Sequence, residues 1–498
     1  MLATTLAGCA VGPNYHKPKP PADAGYTTAP LPQATASTGG VGGDAQTFVR
    51  GLDVSSKWWE AFRSPAINSL VEKSFRANPT VKAAQAALRQ AQEMVYAQEG
   101  YFFPNAGVDY NFERQQVAGN LSSNDPGPQG NGTVIASAAP AAPVIFNMHT
   151  AELTVGFTPD VFGANRRKVE SLDAQAEMQR YELDATYISL ASNVVAAAIQ
   201  EALTRAQIKA TEEIIAHNQK SLAVVRDRFK LGFATRGDLA SQELQLAQAK
   251  ALLPPLQKQF EQNRDLIREL VGNLPNQDVA ETFELDSLTL PSQLPLSLPS
   301  KIIEQRPDIR AAEESLRSAN ANVGVAVAAM LPQFTITGVA GGTATQFSQM
   351  FHSGGPFWSV IGDVTQPLFE GGTLLHTKRA ADQALRQAAA QYQNTVLQAY
   401  QNVADTLHAI VTDADALTAA VEAERAAKAA LDSADQRMQT GYGDYLTELA
   451  AAMVYSQAVL SEAQARAARL GDTAALYQAL GGGWWNHDDT MPVTAAAN

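Results

Sequence analysis

An internal repeat constrains this chain more than any composition figure, because two copies of one unit must fold alike and bury their apolar faces together. Asn78-Pro79-Thr80-Val81-Lys82-Ala83-Ala84 recurs as Arg306-Pro307-Asp308-Ile309-Arg310-Ala311-Ala312, and Phe103-Pro104-Asn105 as Leu331-Pro332-Gln333, both at an offset of 228. Thr158-Pro159-Asp160-Val161-Phe162-Gly163 matches Gln366-Pro367-Leu368-Phe369-Glu370-Gly371 at offset 208, and Arg228-Phe229-Lys230-Leu231-Gly232-Phe233 matches Arg437-Met438-Gln439-Thr440-Gly441-Tyr442 at 209. The change of about 20 residues falls where a Gly/Ser/Asn/Pro/Ala-rich loop, 114–148, is longer than its counterpart at 346–355.

Each copy predicts the same order of elements: a helix behind a proline, two strands, a very long helix, a tight turn and another helix. Val108, Tyr110 and Phe112 alternate with other residues, as do Leu153, Val155 and Phe157, then Phe334 and Ile336, then Trp358, Val360 and Val364. That period of two marks four strands, at about 105–114, 149–158, 333–341 and 357–366. Leu183, Tyr187, Leu190, Val194 and Ala197 instead repeat at 4-3-4-3 spacing, as do Val403, Leu407, Ile410, Ala414, Leu417 and Val421, the pattern of coiled-coil seams. Pro79 and Pro307 suit a first helical position, which needs no backbone donor. Pro104 and Pro332 mark the passage from helix to strand.

Helices over 164–230 and 373–437 would each run roughly 100 Å. The returning pieces are shorter: 237–271 and 444–480 cover about 50–55 Å, and 79–100 and 307–330 about 33–36 Å, so stacked end to end they nearly match a long helix. Four strands cannot close a membrane barrel, which needs about eight or more. The edges therefore call for further copies of the chain, and a trimer would supply twelve strands. The expected fold is mainly α with a small β part.

With 45% apolar and 17% charged residues the bulk of the 498-residue chain can bury a core, but no run reaches the roughly 18 apolar residues of a membrane-spanning helix. The net charge of −13 repels phosphate backbones, so nucleic acid is not an expected partner. Cys9 is the single cysteine and follows Leu6-Ala7-Gly8, the small-residue pattern before a lipidated cysteine; a free N-terminal thiol is the alternative reading. Only eight residues precede it, fewer than the about 15 of a signal peptide, so residues 1–8 read as the remnant of a longer leader. Ala10 after the cysteine, in place of Asp, fits lipoproteins sent to the outer membrane. Residues 9–47 are Pro/Thr/Ala/Gly-rich and read as a surface tether. The remaining plan is an equatorial segment at 48–78, repeat 1 at 79–271, an equatorial linker at 272–306, repeat 2 at 307–481 and a tail at 482–498.

The chain resembles the outer-membrane factors of tripartite efflux and secretion systems, the TolC-like channels, in their lipoprotein drug-efflux branch. The residues that carry the resemblance are Cys9 with Val11-Gly12-Pro13-Asn14-Tyr15, Trp58-Trp59 with Phe62, Asn78-Pro79, Gln305-Arg306-Pro307-Asp308-Ile309, Phe369-Glu370-Gly371-Gly372 and Ala479-Leu480-Gly481-Gly482-Gly483-Trp484. Where the branch usually has Trp-Glu, this chain has Thr158-Pro159. The resemblance implies a homotrimer with a twelve-stranded outer-membrane β-barrel and a periplasmic α-barrel tunnel. It also implies a palmitate-bearing lipid on Cys9 and no other cofactor. The partners it implies are outer-membrane lipid, a periplasmic adaptor protein and an inner-membrane pump of the resistance-nodulation-division type.

No enzymatic constellation is present: no phosphate-cradling loop, no nucleophile elbow, no His pair at i, i+4. The seven His are scattered and read as surface or tunnel-wall residues rather than metal ligands. At the periplasmic tip the resemblance implies an acidic residue six positions after the turn glycine, where carboxylates around an axis can bind cations. Gly232 leads to Asp238; Gly441 leads to Thr447, with Glu448 adjacent. Asp238 reads equally as a helix N-terminal residue favoured by the macrodipole. Gly232, Gly441 and Gly443 permit the tip turns, and Leu446 with Leu449 reads as an apolar constriction or, more readily, a helix seam. Trp58-Trp59 and Trp484-Trp485 are assigned to the collar, and Phe102, Phe103, Phe112, Phe157 and Trp358 to an interfacial girdle. Asp413 and Asp415 read as a solvated helix face.

The expected function is a passive exit duct for drugs and other small toxic compounds, with the acidic balance favouring cations. A type I protein-secretion duct and a non-conducting envelope lipoprotein are the alternatives.

Overall fold

Proline opens both short helices, and each long helix follows a strand. In the computed structural model α2 (Pro79–Glu99) and α6 (Pro307–Ala328) begin on the expected prolines, whose missing N–H belongs to the unpaired first turn. Each leads into a strand pair, β2 (Asn105–Val117) with β3 (Val144–Phe157) and β5 (Gln333–Ala344) with β6 (Pro356–Thr365). Then come α3 (Ala164–Lys230) with α4 (Arg236–Leu270), and α7 (Thr373–Thr440) with α8 (Tyr445–Ala479). The helix ends fall within three residues of the sequence reading. The structure describes residues 10–19, 25–117, 143–440, 442–443 and 445–486; the expected lipidated Cys9 and tip Gly441 lie outside them.

Two strands outrun their apolar pattern. The β2–β3 ladder continues through Gln115↔Phe146 to Val117↔Val144, beyond the expected ends at 114 and 149, because backbone pairing needs no apolar side chain. The stretches read as equatorial hold structure that no periodicity announced. β1 (Thr47–Arg50) pairs in parallel with β4 (Gln293–Leu296), α1 (Pro65–Ala77) fills 48–78, and α5 (Pro299–Gln305) precedes α6.

The described residues form two units, one from 10–16, 91–117, 143–175 and 316–387, the other from 17–19, 25–90, 176–315, 388–440, 442–443 and 445–486. In the first unit the strands make a single antiparallel sheet in the order β2-β3-β5-β6, with β2 and β6 at its edges. Residues 10–14 are fastened within this unit. Val11 donates its N–H to Phe162 O at 3.1 Å, and the Arg167 guanidinium reaches Val11 O at 3.0 Å and Asn14 Oδ1 at 2.7 Å. Gly324 makes room for this strap, since a Cβ there would stand 2.9 Å from Val11 O.

The second unit holds the hydrophobic core, where both predicted seams are buried: Leu190, Val194 and Ala197 on α3, and Val403, Leu407 and Ile410 on α7. Trp58 and Trp59 lie inside it, with Trp58 stacked on Tyr477 at 5.5 Å. Buried arginines tie irregular chain to this core. Arg469 of α8 donates to Gly42 O at 2.8 Å, Asp44 O at 2.7 Å and Thr35 Oγ1 at 3.0 Å, so part of the Pro/Gly-rich tether is held through its backbone carbonyls. Arg264 of α4 donates to the fully buried Glu201 at 3.3 Å, to Asp278 at 2.6 Å and to the carbonyls of Val279 and Glu281. Arg264 first, then Arg268, hold the Asp278 carboxyl down at about 2.

Candidate functional site

The register of the sheet sorts side chains onto two unlike faces, because paired residues in an antiparallel ladder point the same way. Val108 pairs with Leu153, Leu153 with Ala340, and Ala340 with Trp358; Val155, Gly338 and Val360 form the next row. This face is apolar, and Val108 and Trp358 are 80% and 78% exposed on it. Gly338 and Ala340 leave space between the larger neighbours. The opposite face carries Asp109, Asn111, Glu113, Thr150, Glu152, Ser359 and Asp363 among a few apolar residues such as Val339, Phe357 and Ile361. Arg114, the one Lys or Arg of the four strands, pairs with Asn147 beyond Phe112 on the first face. Aromatic residues gather along the apolar face. Tyr110 donates or accepts with His149 Nδ1 at 2.8 Å, and Phe112 and Phe347 pack on the same imidazole. Nearer the other end Phe162 meets Phe334 at 6.3 Å. Such a band, apolar between aromatic rows and backed by a polar face, is what a strand wall needs between lipid and water. Among the described residues no helix is long and apolar enough to cross a membrane.

The expected tip residues part company. Gly232 sits in the turn after α3 at φ 82°, a conformation that favours glycine, and nothing crowds it. Gly443 serves the second turn by close approach: a Cβ there would lie 2.6 Å from Met438 N. Asp238 closes a capping box at the start of α4: Thr235 N donates to its Oδ2 at 2.8 Å, and its own N–H donates to Thr235 Oγ1 at 3.1 Å. Those bonds from Thr235 hold its carboxyl below the usual range. Thr447 and Leu446 are exposed, whereas Leu449 is buried in the helix packing and Glu448 is buried with partners. Leu446 and Leu449 thus do not share one environment, because residues three apart on α8 fall on opposite sides of the buried boundary.

Glu448 belongs to a cluster that the sequence did not announce. Its Oε1 lies 3.1 Å from His217 Nε2 and accepts from Ser221 Oγ at 3.3 Å. Asp435 completes the group, with one ligand-capable atom of each residue within 4.8 Å of the others. The members come from α3, α7 and α8, more than 200 residues apart in the case of His217 and Glu448, so no local motif could show them. The bond with Glu448 raises the His217 imidazole above its ordinary value, against burial. Burial pushes the Asp435 carboxyl up; His217 pulls it down, and Glu448 adds to the rise.

Farther along α7, Asp413 is not on a solvated face. It is half-buried beside Asp472 of α8, and its Oδ2 is buried without a hydrogen-bond partner, while Asp415 is exposed. Burial first, then the neighbouring carboxyl of Asp472, raise the Asp413 carboxyl to about 7, with Arg469 pulling the other way. A carboxyl raised on folding favours the folded chain while it is protonated. That stability is full below the unfolded value of about 3.9 and is lost as pH rises through about 7. Asp413→Asn keeps the shape and removes the charge. It is expected to leave thermal stability unchanged at pH 4 and raise it at pH 8 by about 1–2 kcal/mol, after discounting for solvent screening. An equal effect at both pH values, read from unfolding curves, would sink this assignment.

These elements match known proteins along almost the whole chain. The model of the outer membrane efflux protein family matches residues 70–273 and 298–482. A curated relative from Pseudomonas putida, "Probable efflux pump outer membrane protein TtgC", is 27% identical over 489 residues, covering 97% of this chain and 95% of its own. Among solved structures, the outer-membrane channel OprN superposes with a TM-score of 0.81 at 26% identity, covering 96% of this chain and 100% of that one. The Campylobacter jejuni CmeC outer membrane channel superposes with a TM-score of 0.84 at 20% identity, with 97% and 96% covered. The two repeats, the strand wall and the long helices are therefore those of an outer-membrane channel. The chain belongs to the outer membrane efflux protein family, works as the outer-membrane channel of an efflux pump, and is located in the outer membrane of a Gram-negative bacterium.

Proposed function

We propose that three copies of this chain close a twelve-stranded barrel and form a passive exit duct that performs no chemistry of its own. The observation that carries this is the sheet: one face mainly apolar, the other mainly polar, and the outer edges of β2 and β6 unpaired among the described residues. A lone four-stranded sheet would leave those backbone donors and acceptors bare in lipid, and pairing β6 with β2 of a neighbouring copy satisfies them. The lipid on Cys9 anchors each copy beside the barrel. The turns at Gly232 and Gly443 present the tip to a periplasmic adaptor, and an inner-membrane pump of the resistance-nodulation-division type drives the flow. The carboxylates Asp109, Glu113, Glu152 and Asp363 on the polar face make the duct favour cations.

The cargo is a set of small organic compounds. Relatives named for toluene efflux and for antibiotic efflux, each 27% identical over 489 residues, support this class. The test is accumulation of a fluorescent cationic dye in cells lacking the chain, with and without re-expression behind a complete signal peptide. Dye is expected to accumulate in the deletion and fall on re-expression. Unchanged accumulation would reject small-molecule efflux and favour secretion of a polypeptide.

A further inference from the structure

We propose that His217, Asp435 and Glu448 form a binding site for a divalent transition metal, zinc being the best fit, which ties α3, α7 and α8 together. One imidazole nitrogen and two carboxylates within 4.8 Å of one another make a donor set for a tetrahedral ion, with the fourth position left for water. His217 Nε2 and Glu448 Oε1, at 3.1 Å, already stand close to the spacing of two ligands on a zinc ion, about 3.3 Å. Asp435 brings its carboxylate within 4.8 Å of both.

The charge balance points the same way. Two carboxylates face a single imidazole, and Lys220, one turn beyond His217 on α3, is exposed. A cavity of about 120 Å³ reaches the cluster on the His217 side. It is lined by Glu213, His217, Asn218, Leu431 and Tyr455, and gives a hydrated ion room to shed its water beside the imidazole. Ser221, whose hydroxyl donates to Glu448, orients that carboxylate as an outer partner of a metal ligand does. The three ligands lie on three helices, Glu448 in the first turn or so of α8 and Asp435 near the end of α7. A bound ion therefore fastens both sides of the second turn to α3.

The experiment uses the full chain, purified in detergent without a histidine tag and stripped with chelator, then dialysed against zinc alone or magnesium alone. Bound metal is read by elemental analysis. One zinc and no magnesium per chain is expected, and cobalt in place of zinc is expected to give the visible absorption of a tetrahedral site. His217→Ala and Asp435→Asn should each weaken zinc binding by about tenfold or more and abolish the cobalt bands. Asp435 is only half-buried, so its variant keeps the test valid if the histidine variant fails to fold. Zinc retained equally by the variants, or no zinc above the magnesium level in the unsubstituted chain, would overturn the proposal.

Discussion

Arg264→Ala is expected to destabilise the chain by about 3–5 kcal/mol, the range for removing one partner of a buried ion pair. Arg264 is 5% exposed, and its two terminal nitrogens serve two carboxylates and two backbone carbonyls. Alanine leaves the Val279 and Glu281 carbonyls without this donor and strands Glu201, which is fully buried. Arg205 still reaches Glu201 at 2.7 Å, which places the expected loss toward the lower end. The chain joining α4 to β4 should loosen first, since Arg264 holds 278–281 against α4 and α3. Thermal and urea unfolding of the purified chain would measure the loss. Adding Glu201→Gln should recover part of it by removing the stranded charge. A loss under about 0.5 kcal/mol, with no recovery in the double variant, would show that the network contributes little.

Val360→Arg should prevent stable insertion, while Ser359→Arg, one residue away, should not. Val360 stands 68% exposed on the apolar face, in the row of Val155 and Gly338. A guanidinium there costs about 2–4 kcal/mol per chain at the middle of a bilayer, and three copies multiply the cost. Ser359 points to the polar face with Asp109, Glu152 and Asp363, where an arginine meets water and carboxylates. The first variant should be lost from the urea-resistant outer-membrane fraction. The second should assemble and shift the reversal potential in a potassium chloride gradient away from cations. If the two variants insert equally, or if their order is reversed, the assignment of the faces is wrong.

Periodicity carried most of the architecture. The step of two in Val108, Tyr110 and Phe112 and the 4-3 spacing of Val403, Leu407 and Ile410 are local consequences of strand and helix geometry, so the strands and long helices were legible. The repeat itself foretold that both halves would share one plan. Prolines fixed where α2 and α6 begin, because the first helical turn has no use for their missing N–H. Asp238 was legible as a helix N-terminal residue, and the capping box with Thr235 is that role in full. The family resemblance, carried by motifs such as Gln305-Arg306-Pro307-Asp308-Ile309, led to the same class of protein as the later matches.

Contacts between distant segments were not legible, because charge and hydrogen-bond pairing across the fold leaves no period in the sequence. Arg167 holding residues 11 and 14, Arg469 holding 42 and 44, and Arg264 joining 201 to 278 all pair a helix with irregular chain. The parallel pairing of β1 with β4 spans about 245 residues and has no alternation to announce it. His217 looked like one of seven scattered histidines, and Asp413 like a surface acid, until packing set Glu448 beside the first and Asp472 beside the second. The sequence by itself determined the repeated strands and long helices and their order, since backbone geometry imposes its period on neighbouring residues. Only the tertiary structure decided which polar groups lose water together, and that shared desolvation creates the carboxyl pair and the three-residue cluster.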